Sequence, residues 1–123
     1  MIFQEDTVYS IPDIHILPLY PGGRAALSAF VRYNLQYPKD FNKQSRKKAN
    51  KKKGEKSYEE IIYISFILEK DGSITNVRVL QGFIDEMDKE AVRVIEIMSI
   101  WTPGYVNSKP VRTRLTLPIR LVV

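Results

Sequence analysis

The residues best suited to acid–base chemistry are four carboxylates in one short stretch: Asp85, Glu86, Asp88 and Glu90. Two carboxylates that face one cleft can divide the roles of general acid and general base. These four, however, stand where a helical pattern begins. Acids at that place accept hydrogen bonds from exposed amides and face the positive end of the helix. Capping and a solvated helix face therefore explain them without a catalytic cleft.

Other catalytic arrangements are missing from the sequence. His15 is the single histidine and there is no cysteine, so neither a thiolate nucleophile nor a thiolate zinc site can form. The chain has no glycine-rich phosphate loop and no recognisable spacing of nucleophile and base. We expect a protein that is not an enzyme and that uses no metal and no cofactor.

The positive charge is concentrated in one segment. The formal net charge is +5, yet residues 39–56 hold nine Lys or Arg against two acids, a local balance of +7. Almost nothing apolar follows Phe41, so a solvated Lys-rich loop over residues 39–57 is the simplest interpretation, with a short helix over residues 41–48 left open. An anionic membrane or glycan surface is the next alternative, and nucleic acid is the least favoured because no aromatics are interleaved. The candidate contacts for such a surface are Lys47, Lys48, Lys51, Lys52 and Lys53.

A third candidate surface is a strand near the C-terminus. From Val111 onward, apolar residues and Thr113 alternate with a second set of residues. This second set is Arg112, Arg114, Thr116, Pro118 and Arg120, of which three are arginines. The arginines are interpreted first as a solvated face, and as an acid-binding stripe only if the partner is an acidic peptide. Because Pro118 has no amide hydrogen to donate, we expect this strand at a sheet edge.

A β-hairpin over residues 61–80 is the element around which the others must be arranged. Ile62, Ile64, Phe66 and Leu68 repeat at period two, and Asp71-Gly72 supplies a turn. The turn should pair residues 64–69 with residues 74–79 and place Val77 and Val79 on the core face.

Two helices and one domain complete the expected fold. Apolar residues recur at helical spacing in residues 24–35, and again from Met87 to Met98. The predicted fold class is α+β: a two-layer α/β sandwich whose three-stranded antiparallel sheet, with residues 61–69 in the middle, is covered by two helices on one face. Residues 1–19 form an extended lead-in. No segment reaches the roughly 20 apolar residues that span a bilayer, so the chain as given is expected to be soluble.

Several separated motifs resemble one known family, the C-terminal domain of TonB proteins. They run in the order Tyr20-Pro21-Gly22-Gly23, Asn34-Leu35-Gln36-Tyr37-Pro38, Lys70-Asp71-Gly72-Ser73, Met87-Asp88-Lys89-Glu90-Ala91, Trp101-Thr102-Pro103-Gly104, and Lys109-Pro110-Val111 leading to Leu117-Pro118-Ile119. Each is weak alone, whereas the order and spacing together are specific. The resemblance implies that residues 20–123 form a TonB C-terminal-like domain in the periplasm of a Gram-negative bacterium. The longer, lysine-rich stretch of residues 39–57 departs from the family pattern.

The resemblance also implies a function and a site. Such domains bind the TonB box, a short extended peptide of a TonB-dependent outer-membrane transporter, by β-strand addition, and an inner-membrane complex supplies energy through them. The matching positions are the strand edge, Val111, Arg112, Thr113, Arg114, Leu115, Thr116, Leu117, Pro118, Ile119 and Arg120, with Gln36 and Tyr37 beside the docked peptide. An exposed edge also allows a homodimer.

Overall fold

A computed structural model describes residues 7–48 and 59–122 of the chain. The helices are α1 (Gly23–Asn34), α2 (Phe41–Lys48) and α3 (Asp85–Glu96), with a 3₁₀ helix at Ile11–Asp13. The strands are β1 (Val8–Tyr9), β2 (Glu59–Leu68), β3 (Ile74–Gln81), β4 (Gly104–Val106) and β5 (Lys109–Val122). Among the helices of this described part, none has the length and apolar character needed to cross a bilayer.

The sheet depends on two long antiparallel ladders on either side of β2. The strand order is β1-β5-β2-β3, and β4 also pairs with β5. The β2–β5 ladder runs without a register shift from Glu59↔Val122 to Leu68↔Thr113. β1 lies on the other side of β5, parallel to it, and opposes only Arg112 and Thr113.

The expected three-stranded antiparallel sheet under two helices is therefore wrong in detail. The sheet of the described residues is mixed and five-stranded, and three α-helices pack on it. The additional strands, β1 and β4, have only two and three residues. Strands that short show no measurable alternation, so their sequences gave no signal. β5 is an edge strand only beyond Thr113, because β1 covers its earlier part.

The β2–β3 hairpin turns where it was expected. Gly72 has a φ of +85°, and Ser73 donates from its amide to Asp71 Oδ1 at 2.9 Å. Ile64 opposes Val79 and Leu68 opposes Ile74, which confirms the expected pairing.

β3 itself is irregular. The pairing of β2 with β3 shifts between Ser65 and Ile67 and again between Tyr63 and Ile64. Asn76, at a φ of +51°, lies in the first shift and has the left-handed conformation typical of a bulge. These shifts interrupt the alternation of faces. Val79, expected in the core, opposes the buried Ile64 but is itself 38% exposed.

The core lies on one face of the sheet. Ile62, Ile64, Phe66 and Leu68 of β2 are fully buried, as their spacing predicted. Complete burial of such a side chain contributes about 1.5–3 kcal/mol to the free energy of folding. The ring of Trp101 packs against Phe66, with 6.0 Å between centroids.

The helices cover that face through apolar side chains at helical spacing. α1 packs Leu27, Phe30 and Val31 against the core, and α3 buries Met87, Ala91, Val94 and Ile95. Asp88 Oδ1 accepts a hydrogen bond from the amide of Phe83, which precedes α3, at 2.8 Å, whereas the N-cap residue Ile84 makes no side-chain capping bond.

The Lys-rich segment begins as a helix. α2 occupies residues 41–48, the alternative that the sequence had left open. Phe41 and Ser45, four residues apart, are buried, whereas Lys43, Lys47 and Lys48 are exposed. Residues 49–57, the remainder of the predicted loop, lie outside the described residues.

The segment before α1 is extended and paired. Its backbone runs antiparallel to residues 102–105, with bridges at Ile16↔Tyr105 and Leu19↔Thr102. Tyr20 ends this segment as a buried anchor, with its ring 5.3 Å from that of Trp101. The lead-in therefore packs as strand-like structure on the domain.

Candidate functional site

One side of β5 lacks a strand partner over most of its length. β1 opposes Arg112 and Thr113 and then ends, as the chain turns into the 3₁₀ helix. From residue 114 to residue 122, no strand of the described part of the chain pairs with the side of β5 that faces away from β2. We call this side of residues 114–122 the open edge. Unpaired backbone groups at such an edge can bond to an incoming strand.

The orientation of the amides along the open edge follows from Pro118. Successive residues of a strand direct their backbone groups to opposite sides. Pro118 lies opposite Tyr63 of β2 but has no N–H to donate to it, so its nitrogen fits at a position that points away from β2. Arg114 and Thr116 have the same parity. Their N–H and C=O groups therefore point to the open edge.

The two faces of β5 differ in chemistry along the open edge. Arg114 and Thr116 are exposed on the outer face, away from the helices, and so are Pro118 and Arg120. Leu115 and Leu117 point to the helix-covered face and are half-buried, while Ile119 is fully buried. An added strand would thus meet apolar side chains on one face and polar or basic ones on the other.

The first part of the predicted peptide-binding strand already has partners within the fold. Val111 is buried and opposes Gly104 of β4, and Thr113 is buried opposite both Tyr9 and Leu68. The structure thus separates residues 111–113 from the open edge.

Arg112, predicted as part of the arginine stripe, forms an ion pair. Its Nε donates to Glu69 Oε1 at 2.7 Å, and its Nη2 donates to Glu69 Oε2 at 3.2 Å. Thr75 of β3 donates to the same carboxylate. The hydrogen bond from Arg112, helped by that from Thr75, lowers the pKa of Glu69 although partial burial opposes the change. One carboxylate therefore connects β3 and β5 across the end of β2.

Gln36 and Tyr37 are held by contacts with α3 and α2, elements other than β5. The backbone amide of Gln36 donates to Glu90 Oε2 at 2.6 Å. The ring of Tyr37 meets that of Phe41 edge-on, with centroids 4.7 Å apart. α3 and α2 thus fix the loop that carries both residues.

A second ion pair supports that loop. Glu90 receives two 2.7 Å hydrogen bonds from Arg93, whose Nη2 also donates to the carbonyl oxygen of Asn34 at 2.8 Å. The bonds from Arg93, with that from the Gln36 amide, lower the pKa of Glu90, and Glu90 in turn raises the pKa of Arg93.

The supporting roles of Glu69, Glu90 and Arg93 were not found from the sequence. The spacing of Glu90 and Arg93 on a predicted helix indicates that the two can pair, but not that they reach residues 34–36. Glu69 was assigned only to the hairpin.

The Lys-rich surface is a separate feature. Lys47 and Lys48 are exposed on α2, and Lys51, Lys52 and Lys53 lie outside the described residues. Across residues 7–48 and 59–122, no three side chains of the types that bind metals converge on one point.

Comparisons with known proteins agree with this architecture. A family model described as the Gram-negative bacterial TonB protein C-terminal matches residues 55–122. The solution structure of the TonB C-terminal domain of Helicobacter pylori shares the fold with a TM-score of 0.51 at 18% identity, covering 79% of this chain and 89% of that one. A search of curated proteins gives no match. The family model spans more than half of the sequence, and the chain belongs to the TonB C-terminal family.

Proposed function

We propose that this domain binds the TonB box of a TonB-dependent outer-membrane transporter by adding it as a strand to the open edge of β5. The observation that carries the proposal is the unpaired side of β5 over residues 114–122. A peptide there gains main-chain hydrogen bonds with little demand on its sequence. TonB C-terminal domains interact with such transporters, and membership of the family supports the same partner here.

The wider role follows from the family. The domain acts in the periplasm of a Gram-negative bacterium as a non-catalytic binding module, and it passes energy from an inner-membrane complex to the transporter. In this role the β2–β5 ladder presents the peptide, and Gln36 and Tyr37, on the loop held by Glu90 and Arg93, are the further contacts that the family resemblance implies.

A proline placed in the open edge tests strand addition directly. Thr116→Pro removes an amide that points to this edge, and it leaves the β2 ladder intact because Thr116 shares the parity of Pro118. We expect the variant to lose binding to short peptides from transporter N-termini, measured by isothermal titration calorimetry. Thr116→Val, which keeps the amide, should bind like the parent chain.

The fold of the proline variant needs its own control. Thermal unfolding followed by circular dichroism reports whether Thr116→Pro is folded, and Arg114→Pro, at the same parity, replaces it if it is not. Salt distinguishes the mode of binding, since main-chain hydrogen bonds change little with ionic strength whereas surface charge pairs weaken. Undiminished peptide binding by a folded proline variant would contradict the proposal.

The exposed lysines of α2 favour a second candidate, an anionic surface bound through the Lys-rich segment. Lys43, Lys47 and Lys48 face solvent on one short helix, so an anionic vesicle or glycan could approach them. Neutralising Lys47, Lys48, Lys51, Lys52 and Lys53 should abolish this binding and leave peptide binding largely intact. If all binding disappeared, the Lys-rich segment would be the functional site instead.

The open edge also offers a route to a homodimer, by pairing of two β5 strands. Sedimentation equilibrium of the parent chain and of Thr116→Pro tests it, because a dimer built on this edge should dissociate in the variant.

A further inference from the structure

The outer face of the sheet carries an open cavity that strand addition does not use. The cavity has a volume of about 490 Å³ and is lined by Asn76, Val77, Arg78 and Arg114. Sites that hold small molecules have volumes of about 300–1,000 Å³. Because β2 lies between β3 and β5, the cavity reaches across three strands of the sheet. It is therefore large enough for a small organic ligand.

The bulge in β3 places Arg78 on this face. Thr75 opposes Ile67 and Arg78 opposes Ser65, so three residue steps on β3 match two steps on β2. Uninterrupted alternation from Thr75 would have turned Arg78 towards the helices. The extra residue reverses the alternation, and bulges near functional sites often redirect a side chain in this way. Arg78 consequently shares the outer face with Arg114, which opposes Ile67 from the other side of β2.

The two arginines carry charge without a partner among residues 7–48 and 59–122. Arg78 and Arg114 are exposed, and neither guanidinium group makes a hydrogen bond or an ion pair with a residue of those ranges. The nearby carboxylate of Glu69 is already bound by Arg112, with 2.7 Å between Nε and Oε1. Two positive charges at this cavity are thus available to a ligand.

The strand beneath the two arginines strengthens their effect. Ser65 and Ile67 of β2 are only 2% and 3% exposed, although they point away from the helix-covered face. Charges above a surface from which water is excluded interact more strongly than charges in bulk water. An anion placed there would gain more from the arginines than at a fully hydrated surface.

A phosphate monoester fits two guanidinium groups best. Each guanidinium presents parallel N–H donors that match two phosphate oxygens. A phosphate monoester carries a charge of about −1.5 to −2 at neutral pH, which balances two arginines, whereas a carboxylate or a phosphodiester supplies one charge. The side-chain amide of Asn76 can donate a further hydrogen bond. The rest of the cavity leaves room for the organic group.

We infer that the outer face of the sheet binds a phosphate monoester between Arg78 and Arg114. The same group occurs in small phosphorylated metabolites and in the headgroup of phosphatidic acid, so the ligand reaches the domain either free or at a membrane surface. The site uses side chains of the outer face and not the backbone of the open edge. It is therefore independent of strand addition.

NMR titration of the full chain with glycerol phosphate tests the site with a free ligand. Arg78→Gln and Arg114→Gln should each weaken binding by about five- to tenfold. Arg32→Gln is the matched control, because Arg32 is exposed on α1, on the other side of the sheet, and its loss changes the net charge equally. It should leave the affinity nearly unchanged. Dimethyl phosphate, a diester with one charge, should bind about tenfold more weakly than glycerol phosphate.

Vesicles distinguish the source of the phosphate group. Phosphatidylcholine vesicles with phosphatidic acid present the monoester at a membrane, and vesicles with phosphatidylglycerol at matched charge density present a diester. A lipid ligand predicts cosedimentation with the phosphatidic acid vesicles in preference to the others, and Arg78→Gln and Arg114→Gln should remove this preference. Attraction through the Lys-rich segment does not distinguish two lipid surfaces of equal charge density.

Binding of either probe that depends on both arginines supports the inference. Circular dichroism reports whether the variants are folded. Arg78→Lys and Arg114→Lys, which keep the charge but lose the paired donors, replace any glutamine variant that is not, and they should also bind more weakly than the parent chain. Equal effects of Arg32→Gln and the cavity variants, equal binding of monoester and diester, or no binding of either probe would overturn the inference.

Discussion

The sheet has two edges that lack a further strand among the described residues, and they are built differently. β3, at one edge, contains two register shifts and a residue at positive φ, Asn76. β5, along its open edge, is backed by an unbroken ladder of nine residue pairs with β2. Bulges twist an edge away from incoming strands, and regular backbone offers evenly spaced partners. The difference supports the proposal that strand addition takes place at β5 and not at β3.

The substitution with the largest expected effect on stability removes one core side chain beneath β2 and β5. Phe66 is fully buried opposite Leu115, so Phe66→Ala should lower the free energy of unfolding by about 3–5 kcal/mol. Val79→Ala, on the half-exposed part of β3, should cost less than about 1.5 kcal/mol. Urea denaturation measures both. Comparable costs would mean that the two edges are supported equally.

The next test addresses the turn that sets the register of β3. Gly72 has a φ of +85°, and an added Cβ would lie 1.9 Å from the carbonyl oxygen of Trp101. Gly72→Ala should therefore destabilise the fold by about 2–4 kcal/mol. Gly23→Ala is the control, since Gly23 has a φ of +84° with nothing within 4 Å of the added Cβ. It should cost only about 1 kcal/mol, the price of backbone strain alone.

The bulge of β3 gives a smaller effect. Asn76 tolerates its φ of +51°, whereas a β-branched residue does not. Asn76→Val should cost about 1–2 kcal/mol, and Asn76→Gly should be neutral within about 0.5 kcal/mol. Thermal unfolding of both variants decides. If Val were tolerated as well as Gly, the irregularity of β3 would not be a fixed property of this edge.

The smallest effect concerns the carboxylate that joins the two regions. Because the bond from Arg112 lowers the pKa of Glu69 from its ordinary value near 4.5, the ionised form stabilises the fold above that pH. This contribution is lost as the pH falls through the lowered pKa. Glu69→Gln should cost about 1 kcal/mol at neutral pH and nothing in stronger acid. Unfolding curves of the two proteins should therefore converge on acidification. A constant gap at every pH would show that the charge is irrelevant.

The long periodic elements of the fold could be predicted from the sequence. Apolar residues repeat often enough to define a period in the hairpin strands around Asp71-Gly72, in α3 and in β5. β1 and β4 could not be predicted, because two or three residues define no period. The bulge at Asn76 could not be predicted either, because a bulge depends on contacts with the partner strand. α2 stayed ambiguous since only Phe41 signalled a buried face.

The candidate site was predictable as an edge strand, but the extent of the open part of that strand was not. Pro118 indicated that part of β5 lacks a neighbour, and this holds beyond Thr113. Which residues are covered depends on β1, which comes from the distant start of the chain. The ion pairs of Arg112 with Glu69 and of Arg93 with Glu90 likewise form between groups whose approach is set by packing, so local spacing could not assign them.

The short β1 strand has a mechanical consequence. A pull on the chain before Val8 would load two β1 residues and the bridges at Ile16 and Leu19, while Tyr20 stays wedged against Trp101. These few hydrogen bonds should break first and release a segment with a contour length of roughly 40 Å before the force reaches the β2–β5 ladder. Single-molecule stretching should show this as an early, low-force extension, and its absence would mean that tension reaches the core directly. Under tension, the segment before Tyr20 would act as an extensible linker and the β2–β5 ladder as the mechanically resistant part of the domain.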